Sequence, residues 1–414
     1  MDKLHELNYK LDLSSESDSD EEMNELLLLY SLSKRNKSIW KSAYMKKRKS
    51  HGEFILTSEF SDKQFTNYFR LNRNQFNEVL IGCNAQKPID PEEKLAVFLR
   101  YLASGDSYKS IAYSYRMGDR TVSKIVNEVA LAVWDTMRPL YLPQPTIEMW
   151  KSVALEFEQQ WQFPHCIGAL DGKHVVIKKP PKSGTSFFNY KQTFSLVLMA
   201  LVDANYKFIS VDVGSMGRFS DANIFTSSVL AKKMNRQSLQ IPPPEFLPVF
   251  EQPLPYVFVA DEAFPLSENL MRPYPKRSVT FTSTTNSRMY FWYISIPFSR
   301  FSKPFEIKVE SVDNVVKAAC VLHNYLRKEM SISNNITDEI GEMPDTKLLP
   351  LANNNCRTGS NAFLVRQKYT DYFNTVGSVP WQMDSVARGN EIHPSGFSSV
   401  VEFGQFNLIL RKTA

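Results

Sequence analysis

The chain has 414 residues, 43% hydrophobic and 22% charged, an ordinary globular balance with length enough for two or three cores. No apolar run approaches the roughly 20 residues of a membrane-spanning helix. Cys83, Cys166, Cys320 and Cys356 are scattered without C-x-x-C pairing, which argues against a disulfide framework or zinc knuckle and for a reducing compartment, while the net charge of +5 is too small to assign a nucleic-acid partner.

The N-terminus does not show the basic-then-apolar order of a secretory leader. Residues 14–22 (SSESDSDEE) are acidic and lack apolar anchors, so a disordered segment is expected. Residues 34–50 then carry eight Lys and Arg and no acid, with Lys46, Lys47, Arg48 and Lys49 as the best nuclear-import cluster. Such a run suits either import and phosphate contact or a solvated linker. Residues 1–60 are thus expected to form a disordered, acidic then basic, N-terminal segment, and the expected location is the nucleus.

From Phe65 to Met137 the apolar spacing turns helical. Phe65, Tyr68, Phe69 and Leu71 recur at helix intervals, and Leu95, Phe98, Leu99 and Leu102 share one face of a helix over 92–102. A short helix over 107–116, a turn at Met117-Gly118-Asp119 and a longer helix from Arg120 follow. With Asp119 as its cap, the longer helix carries Arg120, Thr121, Ser123, Lys124 and Asn127 in its first turns. Short helix, glycine turn and long helix with polar early residues is the helix-turn-helix arrangement, in which those residues meet bases and phosphates. Arg120, Thr121 and Lys124 are the candidate DNA contacts, and three-helix packing without DNA is the competing account. Pro139, Pro143 and Pro145 are expected to punctuate a linker that ends a helical unit over 61–140.

The next stretch reads as strands. Cys166–Asp171 is short and apolar and ends in a carboxylate; the apolar run 194–203 suits a strand buried on both faces; 208–214 is a third; 256–261 again ends in Asp. Ser220-Asp221 opens a capped helix. Two apolar strands delivering aspartates at their ends suit a two-metal site, in which ions about 4 Å apart stabilise the entering and leaving oxygens of an in-line displacement. Aspartates that merely initiate turns would look the same.

Seven strings occur in order: Ile167-Gly-Ala-Leu-Asp-Gly-Lys-His174, Asn189-Tyr-Lys191, Phe194-Ser-Leu196, Gly214-Ser-Met-Gly-Arg-Phe-Ser-Asp221, Val259-Ala-Asp-Glu-Ala-Phe-Pro265, Leu270-Met-Arg-Pro-Tyr274 and Val316-Lys-Ala-Ala-Cys-Val-Leu-His-Asn324. Together they resemble the Harbinger-type DDE transposase family, including its transposase-derived nucleases, and the likeness extends over most of residues 65–330. The resemblance implies an α/β, RNase H-like catalytic domain over 165–326, preceded by an all-α helix-turn-helix domain. It implies a divalent cation, Mg²⁺ or Mn²⁺, with Asp171 and Asp261 as catalytic residues and Asp171, Asp221 and Asp261 as metal ligands. It also implies DNA as substrate and a separately encoded Myb-like protein as partner. Asp221, at a helix start, ranks below the two strand-end aspartates. His174 suits a structural hydrogen bond more readily than a phosphate contact.

The sequence departs from the family in one respect. The last acid of the resembled pattern is a helical glutamate some three dozen residues beyond the second aspartate, and here no Asp or Glu occurs between Glu268 and Glu306. The segment 281–297 is rich in β-branched and aromatic residues and poor helix material. Glu262 should point away from Asp261, as neighbours on a strand do. Either this copy is a metal-dependent nuclease or transposase with an altered cage, or it is a DNA-binding or interaction factor that keeps the fold without cutting; a misread splice would also produce the altered segment. Residues 327–414 are expected to form an irregular tail with one or two short helices.

Overall fold

The computed structural model describes residues 43–82, 89–247, 251–274, 298–332 and 359–378. The acidic stretch 14–22 and the altered segment 281–297 lie outside them.

Cys166–Val176 forms one continuous strand, β1, of 11 residues. The sequence suggested a short strand ending at Asp171. Strand β2 (Ser195–Val202) instead pairs antiparallel with β1 from Ala169 to Val176, so the ladder carries the backbone straight past Asp171. Asp171 is therefore a mid-strand residue. Strand β3 (Phe208–Met216) returns antiparallel to β2. Two-residue strands β4 (Glu245–Phe246) and β5 (Pro253–Leu254) pair with each other, while β6 (Val257–Ala260) and β7 (Leu270–Met271) join the main sheet parallel. The main sheet has the order β3-β2-β1-β6-β7.

Side-chain alternation gives the sheet two apolar faces. Ala169, Leu198, Ala200, Val257 and Val259 enter one core cluster; Leu170, Val197, Met199, Phe258 and Ala260 enter the other. All of β2 is buried, as its nearly continuous apolar sequence predicts. A bulge between Cys166 and Gly168 breaks the β1–β6 register. Gly168 is required there: its φ is 157°, and a Cβ would lie 2.8 Å from Cδ1 of Leu201.

Three one-turn helical segments (Ala43–Lys46, Arg48–His51, Glu53–Leu56) precede α1 (Asp62–Phe69), which opens with a capping box of Ser61 and Gln64. Helices α2 (Arg73–Gly82), α3 (Pro91–Ser104), α4 (Tyr108–Ser114) and α5 (Asp119–Tyr141) follow. Two details of α5 differ from expectation. Gly118, not Asp119, is its N-cap residue, and Asp119 is the first helical residue, its carboxylate accepting from the Arg120 N–H at 2.7 Å. Pro139 lies within the last turn rather than in a linker, and the Leu142 N–H closes that turn onto the Arg138 carbonyl at 2.8 Å.

Helix α6 (Ile147–Trp161) packs on β1, and α7 (Asp221–Ser227) and α8 (Val229–Asn235) follow β3, all contributing to the second face. Helix α9 (Val309–Ile332) lies between β3 and α5. The first cluster runs unbroken from Phe65 and Val133 in the helical region to Val259 and Tyr325, so helices and sheet share one core. The units expected at 61–140 and 165–326 thus differ in sequence pattern but not in packing.

Two polar clasps fix this union. Asn324 on α9 accepts from the Phe208 N–H at 2.7 Å and donates to the carbonyls of Phe208 and Tyr141, both at 2.7 Å. Its neighbour His323 bonds the Tyr206 carbonyl at 2.8 Å. The Val-Leu-His-Asn string is therefore structural. Buried Arg300 donates to the Gly105 and Pro304 carbonyls and lies over Phe305 at 4.5 Å.

The tail expectation needs correction over Ser360–Asn374, a 15-residue helix, α10. Ala362, Arg366, Tyr369, Thr370 and Phe373 are buried at helix spacing. The Tyr369 hydroxyl donates to the Pro255 carbonyl at 2.7 Å, and Phe373 meets Phe163 edge-on at 4.8 Å. The described architecture is thus a mixed α/β domain around a central sheet, preceded by a helical region. No described helix is long and apolar enough to cross a membrane, and Cys166 and Cys320 are buried and unpaired. Phe373→Ala should lower unfolding free energy by about 3–5 kcal/mol in denaturant titration. A change below about 0.5 kcal/mol, usual for surface positions, would place α10 outside the core.

Candidate functional site

The parallel register of β1 and β6 pairs Leu170 with Ala260, so the next residues, Asp171 and Asp261, leave the last paired rung side by side. There the strands part company. β1 continues, while β6 stops and Asp261 starts a turn, its carboxylate accepting from the Ala263 N–H at 3.0 Å. Arg272 secures that turn by donating to the Glu262 and Phe264 carbonyls at 3.2 and 3.0 Å.

Asp221 arrives from the other side, at the first position of α7. The chain reaches it through Gly217, whose N–H bonds the Ser195 carbonyl at 2.9 Å. A Cβ there would sit 2.2 Å from Oγ of Ser195, so only glycine allows this approach. Asp221 is 1% exposed, and neither carboxylate oxygen has a hydrogen-bond partner among the described residues.

The three aspartates feel one another. Burial first, then Asp261 and Asp171, push the Asp221 carboxyl up to about 8, with Lys173 opposing. Burial and Asp171 push Asp261 up to about 6, against the Ala263 N–H and Lys173. Lys173, two residues beyond Asp171 and so on the same strand face, is buried and places its ammonium 3.0 Å from Oδ2 of Asp171. Sequence reasoning passed over this lysine, although the i, i+2 spacing on a strand was the available signal.

A second polar chain borders the cluster. Asn189 donates to Ser195 Oγ at 2.9 Å, and Ser195 Oγ lies 2.8 Å from Nδ1 of His174. His174 thus makes the structural bond expected of it, and its buried Nε2 has no partner. Burial, then Lys191, draws the imidazole down to about 4, so it is neutral at physiological pH. The Asn189 carboxamide also takes the Lys191 and Thr193 N–H groups, shaping the loop that presents Tyr190 and Lys191. Tyr190 is half exposed, and the charges of Asp221 and Asp261 raise its hydroxyl pKa after burial does. Exposed Arg218 and Phe219 precede Asp221 on the opposite approach.

The remaining candidates lie elsewhere. Arg120 and Lys124 are exposed and Thr121 half-buried on the first two turns of α5, while Asn127 is bonded to Asn314 of α9 at 2.9 Å. In the import cluster Lys46, Lys47 and Lys49 are exposed, whereas Arg48 pairs with Glu93 at 3.5 Å. Glu262 adds to the field that raises Asp261.

Comparison with known proteins accords with this geometry. Residues 170–290 match the family described as the DDE superfamily endonucleases. ALP1-like of Arabidopsis thaliana is 26% identical over 239 residues, covering 54% of this chain and 57% of that protein. HARBI1 of Rattus norvegicus, named as a candidate nuclease, is 25% identical over 161 residues, covering 37% of this chain and 46% of its own. These matches support the likeness to the Harbinger-type DDE transposase family. Antagonist of like heterochromatin protein 1, also from Arabidopsis thaliana, is 24% identical over 229 residues, covering 51% of this chain and 57% of its own. The chain spans about half the length of the curated relatives it matches. No solved structure matches it.

DDE superfamily endonucleases are generally dependent on divalent metal. Buried, unpartnered Asp221 oxygens facing two further carboxylates are the donor set a hard cation takes. Among the described residues, however, no group of three or more His, Cys, Asp or Glu side chains is drawn together closely enough to enclose an ion. In donor chemistry, though not in their grouping, the three carboxylates suit a hard cation.

Raised carboxyl pKa values carry a sign. Their stabilising effect is full below the unfolded value near 4 and is lost as pH rises through the folded values. Metal-free protein should therefore lose stability from pH 5 to pH 8, and Asp221→Asn should flatten that slope. Denaturant titrations across this range test it; equal slopes for both proteins would contradict the burial and coupling of Asp221.

Proposed function

We propose that the chain is a transposase-derived DNA nuclease in which Asp171, Asp221 and Asp261 hold a divalent cation, Mg²⁺ or Mn²⁺, for phosphodiester hydrolysis or strand transfer. The observation that carries this reading is Asp221, buried without a partner for either oxygen and coupled to both other aspartates. The five-stranded sheet, with Asp171 on β1 and Asp261 directly after the parallel β6, supports an RNase H-like catalytic domain. When bound, the cation would supply charge for the developing oxyanion and would activate or orient the attacking hydroxyl.

The chain's own residues have separate tasks in this scheme. Asp171 on β1 and Asp261 in the turn after β6 act as catalytic ligands, and Asp221 closes the set from α7. Lys191 and Arg218, exposed or half-exposed beside the cluster, attract backbone phosphates. Tyr190 and Phe219 offer faces on which an unpaired base could stack. DNA recognition is assigned to α4 and α5 as a helix-turn-helix, with Arg120, Thr121 and Lys124 at the groove. Because those helices share the sheet's core, bound DNA would be held in fixed relation to the aspartates. The basic Lys46–Lys49 cluster and the DNA substrate point to the nucleus, and a Myb-like protein remains the partner suggested by the family resemblance.

One observation favours a second reading, a fold-retaining DNA-binding or interaction factor without cleavage. No acid occurs between Glu268 and Glu306, where the resemblance puts the last glutamate. The two readings part in one assay of purified chain with supercoiled plasmid and Mg²⁺ or Mn²⁺. The nuclease reading expects nicking that falls at least about 100-fold in Asp171→Ala and Asp261→Ala. Equal nicking by wild type and variants would refute it. Salt-dependent binding without nicking, lowered by Arg120→Ala and Lys124→Ala, would establish the second reading.

A further inference from the structure

We infer that Lys173 is a built-in counter-ion, whose ammonium competes with a divalent cation for the Asp171–Asp221–Asp261 cluster. This rests on the reading of that cluster as a cation site, and it deepens that reading by naming what governs its occupancy. In the resembled motif, Asp-Gly-x-His, the family pattern leaves the third place open, and this chain fills it with lysine.

The placement follows from the strand. Period-2 alternation sets Lys173 on the face of Asp171, and the ladder with β2 pairs Asp171 with Ala200 and Lys173 with Leu198, holding both in register. The lysine side chain is 8% exposed and its ammonium lies 3.0 Å from Oδ2 of Asp171. Its charge also reaches Asp221 and Asp261, in each case favouring the carboxylate. A cation in this position offsets part of the repulsion that would otherwise oppose burying three aspartates together.

Mg²⁺ binds carboxylate oxygens at about 2.0–2.1 Å and keeps several waters. An ion on Oδ2 of Asp171 would meet the ammonium at close range, in a buried setting where solvent screens little. An ion taking Oδ2 of Asp171 would require Lys173 to withdraw from that oxygen, and affinity is lowered by the work of displacing it. Asp221 is the ligand left for the incoming ion, since none of the described residues bonds its oxygens.

Calorimetric titration of the full chain with Mn²⁺ alone tests this, with thermal melts to establish that each variant folds. Lys173→Gln should bind Mn²⁺ at least about tenfold more tightly than wild type, the effect of a close like charge. Lys173→Arg should stay near wild type, and adding Asp221→Asn to Lys173→Gln should abolish the gain. Equal or weaker binding by Lys173→Gln overturns the inference. Loss of Mn²⁺ binding in every variant overturns the cation-site reading with it. Tightened binding without DNA cleavage overturns only the nuclease assignment. Should Lys173→Gln fail to fold, amine acetylation of wild type decides: millimolar Mn²⁺ should expose Lys173 to the reagent while leaving Lys124 labelling constant, and unchanged Lys173 labelling overturns the inference.

Discussion

A carboxylate held out of water with no donor on either oxygen is a constraint the rest of the site must answer. Asp221 is in that position, and its nearest charged neighbours include two more aspartates. Burying an isolated carboxylate is costly enough that proteins pair it, protonate it or place a cation beside it. Among the described residues Lys173 supplies a positive charge nearby, and it bonds Asp171 rather than Asp221. The strand register, the glycine approach at Gly217 and the turn after Asp261 together maintain an arrangement that is electrostatically unfavourable by itself. Arrangements of this kind mark functional sites, where strain in the empty state is relieved by a ligand.

The scaffold is built to resist that repulsion. β2, fully buried, locks β1 across eight paired residues, from Ala169 to Val176, and so fixes Asp171 and Lys173 on one face. Arg272 ties down the turn that follows Asp261. On the far side, Asn324 joins the start of β3 to the end of α5, and Arg300 joins the 298–305 segment to the end of α3. These clasps make the helical region a rigid extension of the sheet, so any DNA held at Arg120 and Lys124 would be presented in a defined position.

Much of this was legible in the sequence where periodicity and burial act together. The apolar runs of β2 and β6 and the helix over 92–102 read correctly because each must bury a face or both faces. The union of helical region and sheet was not legible, since composition cannot tell one shared core from two adjacent ones. Asp171 looked like a strand end because Gly172 follows it; only the ladder with β2 carries the strand onward. Asp221 ranked last as a helix-start residue, yet it is the most deeply buried of the three, a property set by Gly217 and by the folding of β3 over Ser195. Lys173 was hidden by attention to acids alone. A short helix in the tail was expected, but not its docking into the core, although Ala362, Arg366, Tyr369 and Phe373 recur at helix spacing.

Anomalous diffraction from a crystal soaked in Mn²⁺ tests the central claim most directly, because it locates the cation rather than its consequences. The account predicts a peak bonded to an Asp221 oxygen and shared with Asp171 or Asp261, with the Lys173 ammonium moved off Oδ2 of Asp171. A Mn²⁺-soaked structure in which Asp221 stays unpartnered and the Lys173–Asp171 pair remains closed would contradict it.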